Sequence, residues 1–270
     1  MTKKEHHILG LSGGKDSTAL AVHLHKKIPN MKYFFCDTGE ELPETYEYLN
    51  KIKARLNIEI KHLAAERGFQ HWLDVYNGYL PSPQARWCTK QMKILPLENY
   101  IEEEFGDDIV YSYVGIRADE PQREGYLSKK TNIITKFPFR DDGIAKDDVI
   151  QILDDSGLGL PKYYEWRSRS GCYFCFYQRK YEWVKLAERH PELFEKAKQF
   201  EQEHADGRMY SWSDGETLDD LIARKDEIIA NHEKALARHQ KKKPNQALIH
   251  TIEDILNEED DELPCLACHL

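Results

Sequence analysis

The stretch GLSGGKDSTALAVHL, residues 10–24, constrains the fold more than any other part of the chain. Ile8, Leu9 and Leu11 around its start read as a short buried strand, and Leu20, Ala21 and Leu24 recur at helical spacing. A strand that turns through glycines into a helix N-terminus offers backbone N–H groups that have no intrahelical acceptor. Such an end attracts anions, and glycine lets a phosphate approach the main chain closely. The stretch therefore predicts a phosphate-holding loop. Ser12, Gly13 and Gly14 are the candidate backbone donors, Lys15 supplies a point charge, and Ser17 adds a hydroxyl at the helix start. Asp16 is expected to cap the helix or to help hold Mg²⁺.

The segments that follow alternate between strand and helix. KYFFCDT (32–38) precedes a helix over 43–57 opened by Pro43, and further strands are read at 58–64 and 108–116. That order predicts an α/β fold, a parallel sheet with helices on both faces. In such folds ligands sit beyond the carboxyl ends of the strands, where the glycine loop lies. After residue 146 strand signals vanish, and helices are expected over 182–205, 217–240 and 245–258. The stripe Leu218, Leu221, Ile222, Ile229 and Leu236 reads as core packing or a helix-hairpin seam. The expected organisation is a nucleotide-binding α/β domain over 1–165 and a helical region over 166–270 that carries a C-x-x-C pair.

Composition narrows the partners. No apolar run approaches the length of about 18 residues needed to span a bilayer, so no membrane is expected. The N-terminal MTKKEHHILG lacks a long apolar core, and a cytoplasmic location follows as an expectation. A formal net charge of −9 disfavours an unaided grip on nucleic acid, so a partner subunit would help hold such a substrate. The six cysteines are Cys36, Cys88, Cys172, Cys175, Cys265 and Cys268. In a reducing compartment, paired cysteines bind metal or do redox chemistry. Cys36, between Phe34, Phe35 and Asp37, reads as core. Tyr163, Tyr164 and Trp166 read the same way.

The loop is neither a Walker motif nor Gly-x-Gly-x-x-Gly. Ser-Gly-Gly-Lys-Asp-Ser at 12–17, directly after a strand, resembles the PP-loop of ATP pyrophosphatases. That family clamps the β- and γ-phosphates of ATP and places AMP on a substrate oxygen. FFCDTGEELPETYEYL (34–49) resembles the second-strand motif of the phosphoadenosine phosphosulfate reductase branch, and VGIRADEPQRE (114–124) resembles its Gly-Ile-Arg segment. The resemblance covers residues 6–200 and implies the adenine nucleotide alpha hydrolase-like fold. It places Asp37, Thr38, Gly39, Gly115, Ile116 and Arg117 at the nucleotide. Lys15, Asp16 and Arg117 are the implied catalytic residues, with Arg123 a weaker candidate.

Cys172 and Cys175 form the turn GCYFC, which presents two thiolates to one centre. Cys88, in RWCTK, stands where iron–sulfur members of this family place adjacent cysteines, and here its neighbour is Thr89. Three arrangements stay open. Three cysteines hold a [4Fe–4S] cluster with one iron open, the tail adds Cys265 or Cys268, or the two C-x-x-C units share a structural Zn²⁺. The first two share Cys88, Cys172 and Cys175 as expected ligands, and the second adds a tail cysteine, with Cys268 completing the expected set. The tail PCLACHL also resembles the reductases' C-terminal segment, but cysteine and histidine are adjacent and Glu-Cys-Gly is absent.

These features resemble the ATP pyrophosphatase component of bacterial DNA phosphorothioation systems (Dnd/Ssp-type). The resemblance implies ATP, Mg²⁺ and a [4Fe–4S] cluster as cofactors. It implies adenylation of a DNA phosphate and sulfur drawn from a cysteine desulfurase. The alternatives are a sulfonucleotide reductase that releases sulfite, an adenylating tRNA sulfurtransferase, and a non-enzymatic nucleotide-binding partner.

Overall fold

The protein is described from a computed structural model, which covers residues 3–242 apart from 124, 126, 204–206, 208 and 214. In chain order the elements begin β1 (Glu5–Gly10), α1 (Lys15–His25), β2 (Met31–Asp37), α2 (Pro43–Leu56), β3 (Ile60–Ala64) and α3 (Phe69–Val75). Next come α4 (Trp87–Thr89), a π-helical turn (Lys90–Ile94), α5 (Leu95–Phe105), β4 (Ile109–Tyr113) and β5 (Ile133–Lys136). The chain continues through α6 (Pro138–Asp141), α7 (Lys146–Asp155), α8 (Lys180–Arg189) and α9 (Pro191–Lys198). It ends with the short strands β6 (Gln202–Glu203) and β7 (Met209–Tyr210), then α10 (Leu218–Ala223) and α11 (Lys225–Lys242).

Two compact units are present. The first takes residues up to Gly68 together with Trp87–Lys162. It holds a five-stranded sheet in the order β3-β2-β1-β4-β5, and every pairing is parallel. Leu9 of β1 lies in register with Tyr33 of β2 and Tyr113 of β4. The near-continuous burial of Tyr33–Cys36 is what a parallel strand covered on both faces requires. On one face Leu9, Tyr33 and Phe35 pack with Leu20 and Leu24 of α1, Leu49 and Ile52 of α2, and Val149 and Leu153 of α7. On the other, Phe34 meets Tyr100 of α5 with ring centroids 6.4 Å apart. The expected α/β class, with helices on both faces of a parallel sheet, is the observed one. Helix α2 starts with Pro43 in its first turn and ends at Asn57 in the left-handed region, φ 52°. β5 was not read from the sequence. Among the described residues no helix is long and apolar enough to cross a membrane.

The second unit takes Phe69–Arg86 and the described residues from Tyr163 onward. A single boundary at 165 leaves 69–86 in the first domain, whereas these residues cluster with the later chain. Aromatic packing is the reason: the Phe69 ring lies 4.2 Å from Phe174, 5.0 Å from Phe200 and 6.2 Å from Trp212. Tyr163, Tyr164 and Trp166 are buried as core residues. The helix expected over 182–205 is broken at His190, where Pro191 opens α9 and removes an N–H from any continuation. That expected over 217–240 is two helices, separated at Arg224. The short β6–β7 pairing is a second departure from an all-helical reading. The helix expected over 245–258 lies outside the described residues.

One buried histidine gives the second unit a pH dependence. His232 is 3% exposed, stacks on Tyr181 at 3.7 Å, and neither ring nitrogen has a hydrogen-bond partner among the described residues. Burial pushes its pKa from 6.5 down to about 4, with Glu182 opposing the shift. The folded state thus favours neutral imidazole. The stability it contributes is complete above the unfolded pKa of about 6.5 and is lost as pH falls toward the folded value. Urea midpoints measured between pH 7 and pH 4 should fall more steeply for the natural protein than for His232→Phe.

Candidate functional site

The chain leaves β1 and passes to β2 and β3 on one side of the sheet, then crosses to β4 and β5 on the other. The strand order reverses between β1 and β4, and a crevice opens there beyond the carboxyl ends. Residues 11–14 follow β1, Asp37–Gly39 close β2, and Val114–Arg117 follow β4. Three segments singled out in the sequence therefore meet at one edge of one sheet.

Close approach explains the glycines. Gly13 has φ +73°, and a Cβ there would stand 2.7 Å from the Thr45 methyl. Gly14 is the N-cap of α1 in an extended conformation and has no side chain to cap the helix. The helix N-terminus thus meets the crevice with its first-turn amides and the positive end of its dipole. Inside the loop the Ser12 and Ser17 hydroxyls are 3.1 Å apart, and Thr18 Oγ1 donates to the Gly14 carbonyl at 2.7 Å. On the β4 side, a Cβ on Gly115 would lie 3.0 Å from the Asp16 carbonyl oxygen. Ile116 beside it is buried. Gly115 is the position that lets the Gly-Ile-Arg segment lie against the first turn of α1.

That contact brings a charged cluster out of water. Lys15, Asp16 and Arg117 are 4, 5 and 9% exposed. One oxygen of Asp16 is 3.0 Å from Arg117 Nη1 and the other is 3.3 Å from Lys15 Nζ. Arg117 also reaches Asp119 at 3.0 Å and Glu120 at 3.5 Å. Burial works against its charge, but Asp16, Glu120 and Asp119 outweigh it and hold the guanidinium pKa above its ordinary value. Both Asp16 oxygens face cations. Its hard carboxylate suits Mg²⁺, which would take the place of Lys15 or Arg117 there.

At the end of β2, Asp37 accepts from Gly39 N–H at 3.0 Å and Tyr46 hydroxyl at 2.8 Å, and its other oxygen is 3.0 Å from His62. Burial alone would raise its pKa, yet the hydrogen bonds from His62, Gly39 and Tyr46 bring it below the usual carboxylate range. Thr38 donates to Glu41 at 3.1 Å. Gly39, φ +73°, has open space around the position of a Cβ. Glu41 is buried with Lys93 Nζ 3.9 Å away. Cys36 is core as expected, and burial pushes its thiol up to about 12.

Cys88 is half-buried in α4, immediately before the π-helical turn Lys90–Ile94. Turns of this kind concentrate at functional sites. Cys172 and Cys175 belong to the second unit, where Cys175 N–H donates to the Cys172 carbonyl at 3.0 Å. Gly171, φ +145°, takes a conformation that side chains disfavour. Arg167, 1% exposed, fixes this turn by donating to the carbonyls of Gly171 and Cys172 at 3.1 and 2.6 Å. The turn offers two thiolates. Among the described residues no group of three or more His, Cys, Asp or Glu could hold a metal ion. Neither a [4Fe–4S] cluster nor a Zn²⁺ site is complete among them, and Cys265 and Cys268 lie outside.

Asp119, Glu120, Arg140, Glu41, Lys93 and Arg167 were given no role in the sequence. The available signal was that Arg117, Glu120 and Arg123 lie close together in sequence, in a segment of turns rather than a helix.

A family model described as the phosphoadenosine phosphosulfate reductase domain matches residues 6–175, from β1 through the second cysteine of the turn. The chain belongs to this family. The matched span includes the phosphate loop, the Asp-Thr-Gly turn, the Gly-Ile-Arg segment and the C-x-x-C pair. An uncharacterized protein of Methanocaldococcus jannaschii is 28% identical over 209 residues, 74% of this chain and 42% of that protein. An uncharacterized 37.8 kDa protein of Escherichia phage 186 is 26% identical over 255 residues, 72% of this chain and 74% of its own. The chain spans less than half the length of the two archaeal relatives, 42% and 45%. Among solved structures, phosphoadenylyl-sulfate reductase from Candida auris aligns with a TM-score of 0.48 and 14% identity, over 62% of this chain and 81% of that one. The U34-tRNA thiolase of Methanococcus maripaludis with its [4Fe–4S] cluster aligns at 0.42 and 18%, over 73% and 70%.

The charges of this loop are interdependent. Replacing Asp16 with Ala would remove the carboxylate that Lys15 and Arg117 share in a buried site, leaving Arg117 only Asp119 and Glu120, at a cost of about 3 kcal/mol. Denaturant unfolding should show a loss of that size for Asp16→Ala.

Proposed function

We propose that this chain is an ATP pyrophosphatase and sulfurtransferase that adenylates a substrate oxygen for sulfur transfer, with a DNA phosphate as the acceptor. The observation that carries the reading is the buried Lys15–Asp16–Arg117 cluster, seated on a glycine loop at the switch point of a parallel sheet. The acceptor oxygen attacks the α-phosphorus of ATP. The bond to the bridging oxygen breaks, and pyrophosphate leaves with the electron pair. Loop N–H groups and Lys15 hold the β- and γ-phosphates, while Arg117 meets charge that builds on the α-phosphate. Asp16 is the residue that would hold Mg²⁺, which when bound offsets charge on the departing pyrophosphate. A sulfur nucleophile drawn from a cysteine desulfurase then attacks the activated phosphorus, and AMP departs. Phosphate oxygen is a poor leaving group and AMP a good one, which is what adenylation achieves.

The choice of DNA rests on the resemblance to phosphorothioation components. With a net charge of −9, a partner subunit is proposed to share the nucleic acid. A second reading, a sulfonucleotide reductase, is favoured by the family match itself, which runs to Cys175.

One experiment separates them. The full chain is incubated with Mg·ATP and DNA, and in parallel with adenylyl sulfate and a thiol reductant. Pyrophosphate release with AMP transferred to the DNA, and AMP release once a sulfide donor is added, both absent from Lys15→Ala, are the expected results. Sulfite without pyrophosphate would replace this reading with the reductase. Substituting tRNA for DNA tests the acceptor, and unchanged biological activity in Lys15→Ala would point to a scaffold.

A further inference from the structure

Glu120 is engaged at every polar group it has. Its Oε1 is 2.6 Å from Arg123 Nη1 and 3.5 Å from Arg117 Nη2, and its Oε2 accepts the Arg117 backbone N–H at 3.4 Å. Its own N–H donates to the Arg117 carbonyl, and its carbonyl accepts from Arg123 N–H, each at 3.2 Å. Arg140 Nη2 adds a bond to the Glu120 carbonyl at 3.0 Å and another to the Arg123 carbonyl. Two guanidiniums, three residues to either side, are thereby joined through one carboxylate. One of them, Arg117, already touches Asp16 of the phosphate loop.

Among the described residues the charges around this hub do not balance. Lys15, Arg117, Arg123 and Arg140 are drawn together with Asp16, Asp119 and Glu120, so cations outnumber carboxylates. Arg140 shows no carboxylate partner among the described residues; it meets two carbonyls and the Phe137 ring at 5.1 Å. The Nε groups of Arg123 and Arg140 are buried with no hydrogen-bond acceptor among the described residues. Arg123 is itself only 6% exposed. Buried donors in a surplus of positive charge are matched by an anion.

We propose that Glu120 is a positioning residue that holds Arg117 and Arg123 as a paired guanidinium clamp for one anionic group of the substrate, a phosphate of the bound nucleotide. This rests on the ATP reading above. Glu120 touches no reacting atom; it acts through the two arginines. A shared carboxylate fixes both forks at once and prevents the two like charges from repelling each other apart.

The test is equilibrium binding of Mg·ATP to the full chain and its variants. Glu120→Gln keeps the shape and removes the charge. Glu120→Asp keeps the charge and shortens the arm. Affinity should fall in the order Glu, Asp, Gln, with Glu120→Gln weakened about tenfold, the loss expected when a charge-paired arginine is no longer held. A residue that matters only for packing gives the opposite order, since Asp leaves a gap and Gln does not. That opposite order, or wild-type affinity in Glu120→Gln, overturns the proposal. A second measurement is independent of whether these variants fold. In Arg123→Ala, which keeps Glu120, millimolar guanidinium should restore Mg·ATP affinity, and absence of restoration overturns the clamp. Failure of the natural protein to bind Mg·ATP would instead remove the ATP reading on which the clamp rests.

Discussion

A carboxylate buried between two cations organises the first unit. Asp16 cannot lie at the head of α1, out of water, without Lys15 beside it and Arg117 opposite. To reach it, the chain leaving β4 must run along the first turn of the helix. It does so at Gly115, where a side chain would press on the Asp16 main chain. Gly13 answers a matching constraint from α2, whose Thr45 methyl occupies the space a Cβ would need. The loop, the helix start and the ends of β1 and β4 are consequently one object. Its shape is set by electrostatics in a low-dielectric place as much as by apolar packing.

The same arrangement bears on ligand binding. Lys15 and Arg117 already face Asp16, so on the reading proposed above a triphosphate would not enter a bare positive pocket. It would exchange partners with Asp16 and its neighbours, which would make affinity depend on the acids as well as the bases. Membership of the phosphoadenosine phosphosulfate reductase domain family supplies the chemical context, sulfur and adenine nucleotides. The relatives leave the acceptor open.

Much of the site was legible because its residues are contiguous in sequence. Ser12–Ser17 and Asp37–Gly39 each form one turn, and strand–turn–helix periodicity placed them at strand ends. The partners were less visible. His6 pairs with Asp108, and His23 with Asp142, across more than a hundred residues, and no spacing rule reaches that far. β5 escaped because Ile133–Lys136 is a four-residue edge strand with alternating half-burial and no long apolar run. The breaks at His190 and Arg224 escaped because apolar periodicity continues across them, although Pro191 was a signal in plain view. Segment 69–86 was assigned by its place in the sequence, while its actual allegiance is set by one phenylalanine among aromatic rings far along the chain.

That last feature governs how the chain is made. Because Phe69–Arg86 belongs with residues beyond Tyr163, the backbone crosses between the two units more than once. During synthesis this segment emerges well before the rings it packs against, and it waits exposed while the strands and helices of the first unit are still being translated. A single protease cut near 163 would not release two intact halves, because part of the later unit stays tethered inside the earlier one. The two units are interleaved along the sequence, so the chain cannot be divided between them at one point.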